Sequence, residues 1–235
     1  MNLLAIDTST DFCSVAASRG EALFSRHERA GQRHAERILD MVDQVLVEAR
    51  LELAQIQGIA YGAGPGSFTG LRIAAGVTQG LALARGIGVV GIGTLLALAE
   101  EAAEEAAEEA AEEAAGSRII ACVDAHKGEV YHAAYRRAGA GWEEVSAPGV
   151  YRPEAVPLVP GENWIGCGDG FAAYRELLAA RLGECVSAIR PETAPTARAV
   201  LKLAIPRFAA GEAKDAAAAV PEYLRDKVAL KTSER

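Results

Sequence analysis

Leu3-Leu4-Ala5-Ile6-Asp7 is an apolar run closed by an aspartate, and Ile119-Ile120-Ala121-Cys122-Val123-Asp124 has the same form. Each run is followed at hairpin distance by a second strand-like stretch, residues 12–17 in the first case and 129–136 in the second. Each half then offers a strand that enters a glycine turn. Residues 56–61 lead into Gly62-Ala63-Gly64-Pro65-Gly66-Ser67, and Trp164-Ile165-Gly166-Cys167 leads into Gly168-Asp169-Gly170. A unit of about half the chain means a duplicated domain and not a solenoid, whose units run to roughly 20–50 residues.

The elements between fill in the pattern. Residues 22–29 read as a third strand. Over 34–51, Ile38, Leu39, Val42, Val45, Leu46 and Ala49 recur at helical spacing with Glu36, Arg37, Asp40 and Asp43 between them. A second helix starts near Thr69 and runs to Arg85, closed by Gly86. A strand over 89–92 precedes a further helix, and the second half adds helices over 171–182 and about 196–210. The order β-β-β-α-β-α, then β-β…β-α…α, makes an α/β protein of two related halves. The expected divisions are 1–99, a helical tract over 100–117, and 118–235.

Half of the 235 residues are apolar and about a quarter are charged, enough for a core and too apolar for general disorder. The net charge of −8 is unevenly placed. Residues 100–115 hold eight of the 32 acids and no base, so the rest balances at 24 acids and 24 bases. A dedicated nucleic-acid binder would carry a net basic footprint. The tract is Glu-Glu-Ala-Ala four times over. It should be helical, with glutamates four apart repelling one another, so a solvated extension favoured by high salt or low pH is expected. The best apolar run, 87–99, is too short to cross a membrane, and the N-terminus lacks a basic leader region. Cys13, Cys122, Cys167 and Cys185 lie far apart, as core thiols of a reducing cytosol would.

The segment from Gly62 to Arg72 is the richest in chemistry. A strand feeds a glycine turn that opens a helix, with Ser67 or Thr69 as N-cap, and free N–H groups there suit an anion. Asp7, Gly64, Gly66, Ser67 and Thr69 are the candidate phosphate-binding residues. The same features also suit a purely structural turn, and no Gly-Lys-Ser/Thr follows as a P-loop requires. Asp7 and Asp124 end the first strand of each half, where doubly built ATPases flank Mg-phosphate. They equally suit turn caps. His34 would need a ligand at position 38 to form a helical metal pair, and finds Ile38. On the second helix Gly76, Gly80 and Ala84 share a face. Glycine inside a helix costs about 1 kcal/mol relative to alanine, so another backbone is expected close by. Arg26, Arg29, Arg33 and Arg37 form a local basic cluster.

Leu4-Ala5-Ile6-Asp7-Thr8-Ser9-Thr10, His34-Ala35-Glu36, Gly64-Pro65-Gly66-Ser67-Phe68-Thr69-Gly70-Leu71-Arg72 and Pro221-Glu222-Tyr223-Leu224-Arg225 together resemble the TsaB (YeaZ) family. The resemblance covers the chain apart from the alanine–glutamate tract. It implies an actin-like/Hsp70-like ATPase fold, the duplicated ribonuclease H-like α/β fold. It implies a non-catalytic, cytoplasmic subunit of the machinery that makes N6-threonylcarbamoyladenosine at position 37 of tRNAs reading ANN codons, with no metal or cofactor of its own. The implied partners are the catalytic paralogue TsaD, the ATPase TsaE, a second copy of the chain, and tRNA through the complex. The implied pairing surface is the first two helices, which places His34, Ile38, Val42, Ile73, Gly76, Val77 and Gly80 at a candidate interface. A small-molecule kinase or ATPase of the same superfold is the alternative.

Overall fold

The structure, a computed structural model, describes residues 1–110 and 117–225. In chain order the first half gives β1 (Asn2–Asp7), β2 (Phe12–Arg19), β3 (Ala22–Arg29), α1 (His34–Ala49), β4 (Gly58–Gly64), α2 (Phe68–Arg85), β5 (Gly88–Gly93) and α3 (Thr94–Ala110). The second gives β6 (Arg118–His126), β7 (Glu129–Ala138), β8 (Gly141–Tyr151), β9 (Trp164–Cys167), α4 (Asp169–Ala173), α5 (Arg175–Leu182), β10 (Val186–Arg190) and α6 (Ala197–Ala209). Two five-stranded sheets result, in the orders β3-β2-β1-β4-β5 and β8-β7-β6-β9-β10. In each, a three-strand antiparallel meander is extended by two parallel strands. The second sheet repeats the connectivity of the first, so the duplication read from the two aspartate-ended strands is real and the fold is the actin-like one.

The period-2 alternation of the strands sorts each sheet into two faces. Leu4, Ile6, Val15 and Ile59 pack beneath α1 and α2, while Leu3, Ala5, Ala60 and Val90 pack against α6. Covered on both faces, β1 reads as an unbroken apolar run rather than an alternating one. In the second sheet Ile119, Ala121 and Val123 face α3, and Ile120 and Cys122 face the side of α4 and α5. The helices therefore cross over: α3 leaves the first lobe and packs on the second sheet, and α6 follows the second sheet yet packs on the first. Cys13, Cys122 and Cys167 are buried and all four thiols are free.

The sequence reading missed β8 and β10. Both are edge strands with exposed, charged or interrupted sequences, Pro148-Gly149 in β8 and a register shift in β10, which weakens any periodic signal. The helix expected over 171–182 divides at Tyr174. The larger correction concerns the acidic tract. Glu100 and Glu101 are 6% and 7% exposed, and the first half of the tract is not a solvated face. Glu100 pairs with Arg137 (2.9 Å) and accepts from the Trp142 indole (2.7 Å). Glu101 pairs with Arg198 (2.6 Å), Glu104 with Lys202, and Glu109 with Arg190 (2.5 Å). Opposite charges from other elements replace the repulsion expected along the helix, so the expected preference for high salt does not follow. The end of the tract, 111–116, lies outside the described residues.

Candidate functional site

The ends of β1 and β6 and the two glycine turns meet where the lobes face each other, around a cavity of about 670 Å³. One wall is residues 9–12 and 65–69, the other is 123–127 and 168–169, and residues 191–195 and 222–225 close the sides.

Asp7 ends β1 as expected, but its carboxylate does not line the cavity. It is 1% exposed. Its Oδ1 accepts hydrogen bonds from the Ser9 amide (3.0 Å) and the Ser9 hydroxyl (2.8 Å), and its Oδ2 has no partner. That oxygen occupies the space above Gly62, 1.9 Å from where a Cβ would stand. Burial pushes the carboxyl up to about 6, against the pull of the two Ser9 hydrogen bonds. The Asp7 carboxylate is thus set apart from the cavity that Gly66, Ser67 and Thr69, named with it as candidate phosphate-binding residues, do line.

The glycine turn is shaped by its own chain. A Cβ on Gly66 would lie 2.3 Å from the Ser9 carbonyl oxygen, and one on Gly64 would lie 2.4 Å from the Glu222 carbonyl oxygen. The close approach that glycine permits is here an approach of backbone to backbone. Ser67 caps α2 by accepting from the Gly70 amide (3.2 Å), and its own amide donates to the Ser9 carbonyl (2.7 Å). Gly66, Ser67 and Thr69 line the cavity, whereas Gly64 does not.

On the far wall tertiary structure joins two aspartates that the sequence lists separately. The Asp124 amide donates to Asp169 Oδ1 (2.8 Å), and Asp124 accepts from the His126 amide (2.8 Å) and the Tyr174 hydroxyl (3.2 Å). Asp11, Asp124, Asp169, Glu192 and Glu222 face the cavity with Arg29, Lys127 and Arg225. Arg29 pairs with Asp11 (3.2 Å) and Arg225 with Glu129. Acidic side chains outnumber basic ones in this lining. Among the described residues no group of three His, Cys, Asp or Glu side chains could hold a metal ion. The His34 Nε2 lies 2.9 Å from the Thr10 carbonyl and 3.2 Å from that of Phe12, which pins the start of α1 to the β1–β2 turn.

The candidate interface divides by burial. His34, Ile38 and Val42 are 5%, 1% and 3% exposed and belong to the interior of the first lobe, so they offer no surface. The large apolar side chains that α1 does expose are Leu39 and Val47. On α2, Ile73 and Val77 are half-buried, and Gly76 and Gly80 are exposed. A Cβ added at either glycine would meet nothing within 4 Å. Leu83 extends the same face, 73% exposed. The basic cluster near α1 is largely paired, Arg26 to Glu48 and Arg37 to Glu28 (2.6 Å). Sequence reasoning missed residues 191–195 and 222–225 as cleft walls, since no local signal says where a loop or tail docks.

Comparison with known proteins adds to this geometry. The family model of TsaD, tRNA N6-adenosine threonylcarbamoyltransferase, matches residues 25–232. The chain is 36% identical to the tRNA threonylcarbamoyladenosine biosynthesis protein TsaB of Escherichia coli K12, covering 98% of this chain and 97% of that one. It is 34% identical to the TsaB of Haemophilus influenzae, covering 98% and 96%. Among solved structures, YeaZ from Pseudomonas aeruginosa superposes with a TM-score of 0.84 at 37% identity, covering 95% of this chain and 99% of that one.

Proposed function

The chain belongs to the TsaB family, within the wider TsaD family, and from that premise we propose that it serves tRNA N6-threonylcarbamoyladenosine synthesis as a non-catalytic pairing subunit. It supports TsaD in modifying position 37 of tRNAs reading ANN codons, TsaE joins at or near the same interface, and the complex works in the cytoplasm on tRNA. Without TsaD the same surface pairs two copies of this chain.

The observation that carries the reading is the α2 face. Two glycines inside a helix each cost about 1 kcal/mol relative to alanine, and neither is required by packing within the chain. A backbone arriving from another subunit supplies the reason. Exposed Leu83, Leu39 and Val47 provide apolar area beside it. The enclosed Asp7 and the acid-rich cleft support a subunit without its own phosphoryl chemistry. Among the described residues no helix is long and apolar enough to cross a membrane.

The test is reconstitution. Purified chain mixed with TsaD is expected to co-elute with it and to raise threonylcarbamoyl transfer to tRNA. Equal activity with and without this chain, or turnover of Mg-ATP by this chain alone, overturns the reading, the latter in favour of a kinase or ATPase.

A further inference from the structure

Pro221-Glu222-Tyr223-Leu224-Arg225 is not among the candidate interface residues, and it is bonded at both ends. On the first lobe the Val220 amide donates to the Tyr61 hydroxyl (3.1 Å), and the Glu222 amide donates to the Ala63 carbonyl (2.7 Å) at the end of β4. The Glu222 carbonyl lies where a Cβ on Gly64 would stand, so this glycine is fitted to the tail. Tyr223 packs on Phe68 with ring centroids 5.5 Å apart and accepts from Arg72 Nε (3.0 Å), while the Arg72 guanidinium lies 3.7 Å over the Phe68 ring. The chain then passes to the second lobe. Arg225 Nη1 donates to the Ala125 carbonyl (3.1 Å) and Nη2 pairs with Glu129, with 19% and 35% of the two side chains exposed. A charge-assisted pair this sheltered holds better than one in open water. Residues 222–225 also line the cavity.

We propose that residues 221–225 form a strap across the mouth of the inter-lobe cleft, which fixes the spacing of the lobes through Arg225 and the β6–β7 turn. Its inner end lies on the glycine turn and the start of α2, and its outer end holds the end of β6, next to Asp124, and the start of β7. Movement of one lobe against the other therefore requires Arg225 to let go.

The test is hydrogen exchange and small-angle X-ray scattering on the full-length chain, neither of which depends on TsaD. In R225A, exchange at the Glu222 amide is expected to be about tenfold faster, because losing the outer anchor releases a local opening unit. Amides of β1 and β6 are expected to hold their wild-type rates, and the radius of gyration to increase. E129Q, which weakens the other end of the pair, is expected to act in the same direction by a smaller factor and serves if R225A does not fold. In the double variant R225A/E129Q the effect is expected to be no larger than in R225A alone. An unchanged Glu222 amide in both single variants overturns the strap. Faster exchange with an unchanged radius of gyration overturns its hold on the lobe spacing.

Discussion

Asp7 and His132 are titratable groups that the fold encloses without full partnership, and they act in opposite directions. His132 is 0% exposed, with neither ring nitrogen hydrogen-bonded and the Tyr151 ring edge-on at 5.9 Å. Burial holds its imidazole down at about 4. The unfolded chain takes up that proton near pH 6.5 and the folded chain does not, so stability present above pH 6.5 is lost as pH falls toward 4. Asp7, raised to about 6 by burial, binds its proton in the folded state first. Stability is therefore gained as pH falls from 6 toward 3.8. Each linkage amounts to about 3 kcal/mol, so the two contributions are expected largely to offset each other between pH 6 and 4. D7N keeps an oxygen for Ser9 and should leave a profile that falls toward acid. H132L should leave one that rises. Urea midpoints at pH 4.5 and 7 check both, and a slope unchanged in either variant counts against the assignment.

At the scale of elements, α2 and α3 behave differently from a generic amphipathic helix. The first half of α3 carries its glutamates inward to cations on other elements. Glu101, whose side chain is 10% exposed, holds both Arg198 and the Thr196 hydroxyl that caps α6. Loss of one partner from such a pair leaves a sheltered charge uncompensated, so E101A should cost about 2 kcal/mol, below the fully buried case because Arg198 is partly exposed. E108A, on the exposed side, should stay within about 0.5 kcal/mol of wild type by the same urea titration. For α2 the expectation is reversed. Replacing Gly76 or Gly80 by leucine fills open space and improves helix propensity, so the isolated chain should gain up to about 1 kcal/mol per site. Association with TsaD or a second copy should weaken by about tenfold or more, since 1.4 kcal/mol of lost contact is already tenfold. Sedimentation at several concentrations measures it, and unchanged association removes α2 from the interface.

The whole molecule is two lobes bound by exchanged helices. α3 supplies the core of the second sheet and α6 that of the first, and Glu101–Arg198 and Glu104–Lys202 join the two helices. Both tryptophans, Trp142 and Trp164, lie in the second lobe, so their fluorescence reports that lobe while far-ultraviolet dichroism reports both. The two probes are expected to give one coincident urea transition in the wild type and to separate in E101A/E104A. Coincidence in that variant would place the coupling elsewhere. The sequence alone determined the duplication, the α/β order, and the buried faces of β1 and α1. Each rests on periodicity or spacing within a few residues of chain, which local physics obeys wherever the segment lies. Only the tertiary structure decided that Asp7 is enclosed, that His34, Ile38 and Val42 are interior, that the acidic tract is neutralised, and that residues 221–225 span the cleft. Those outcomes depend on which groups, distant along the chain, come to stand opposite one another, and burial and charge pairing are properties of that meeting rather than of either segment.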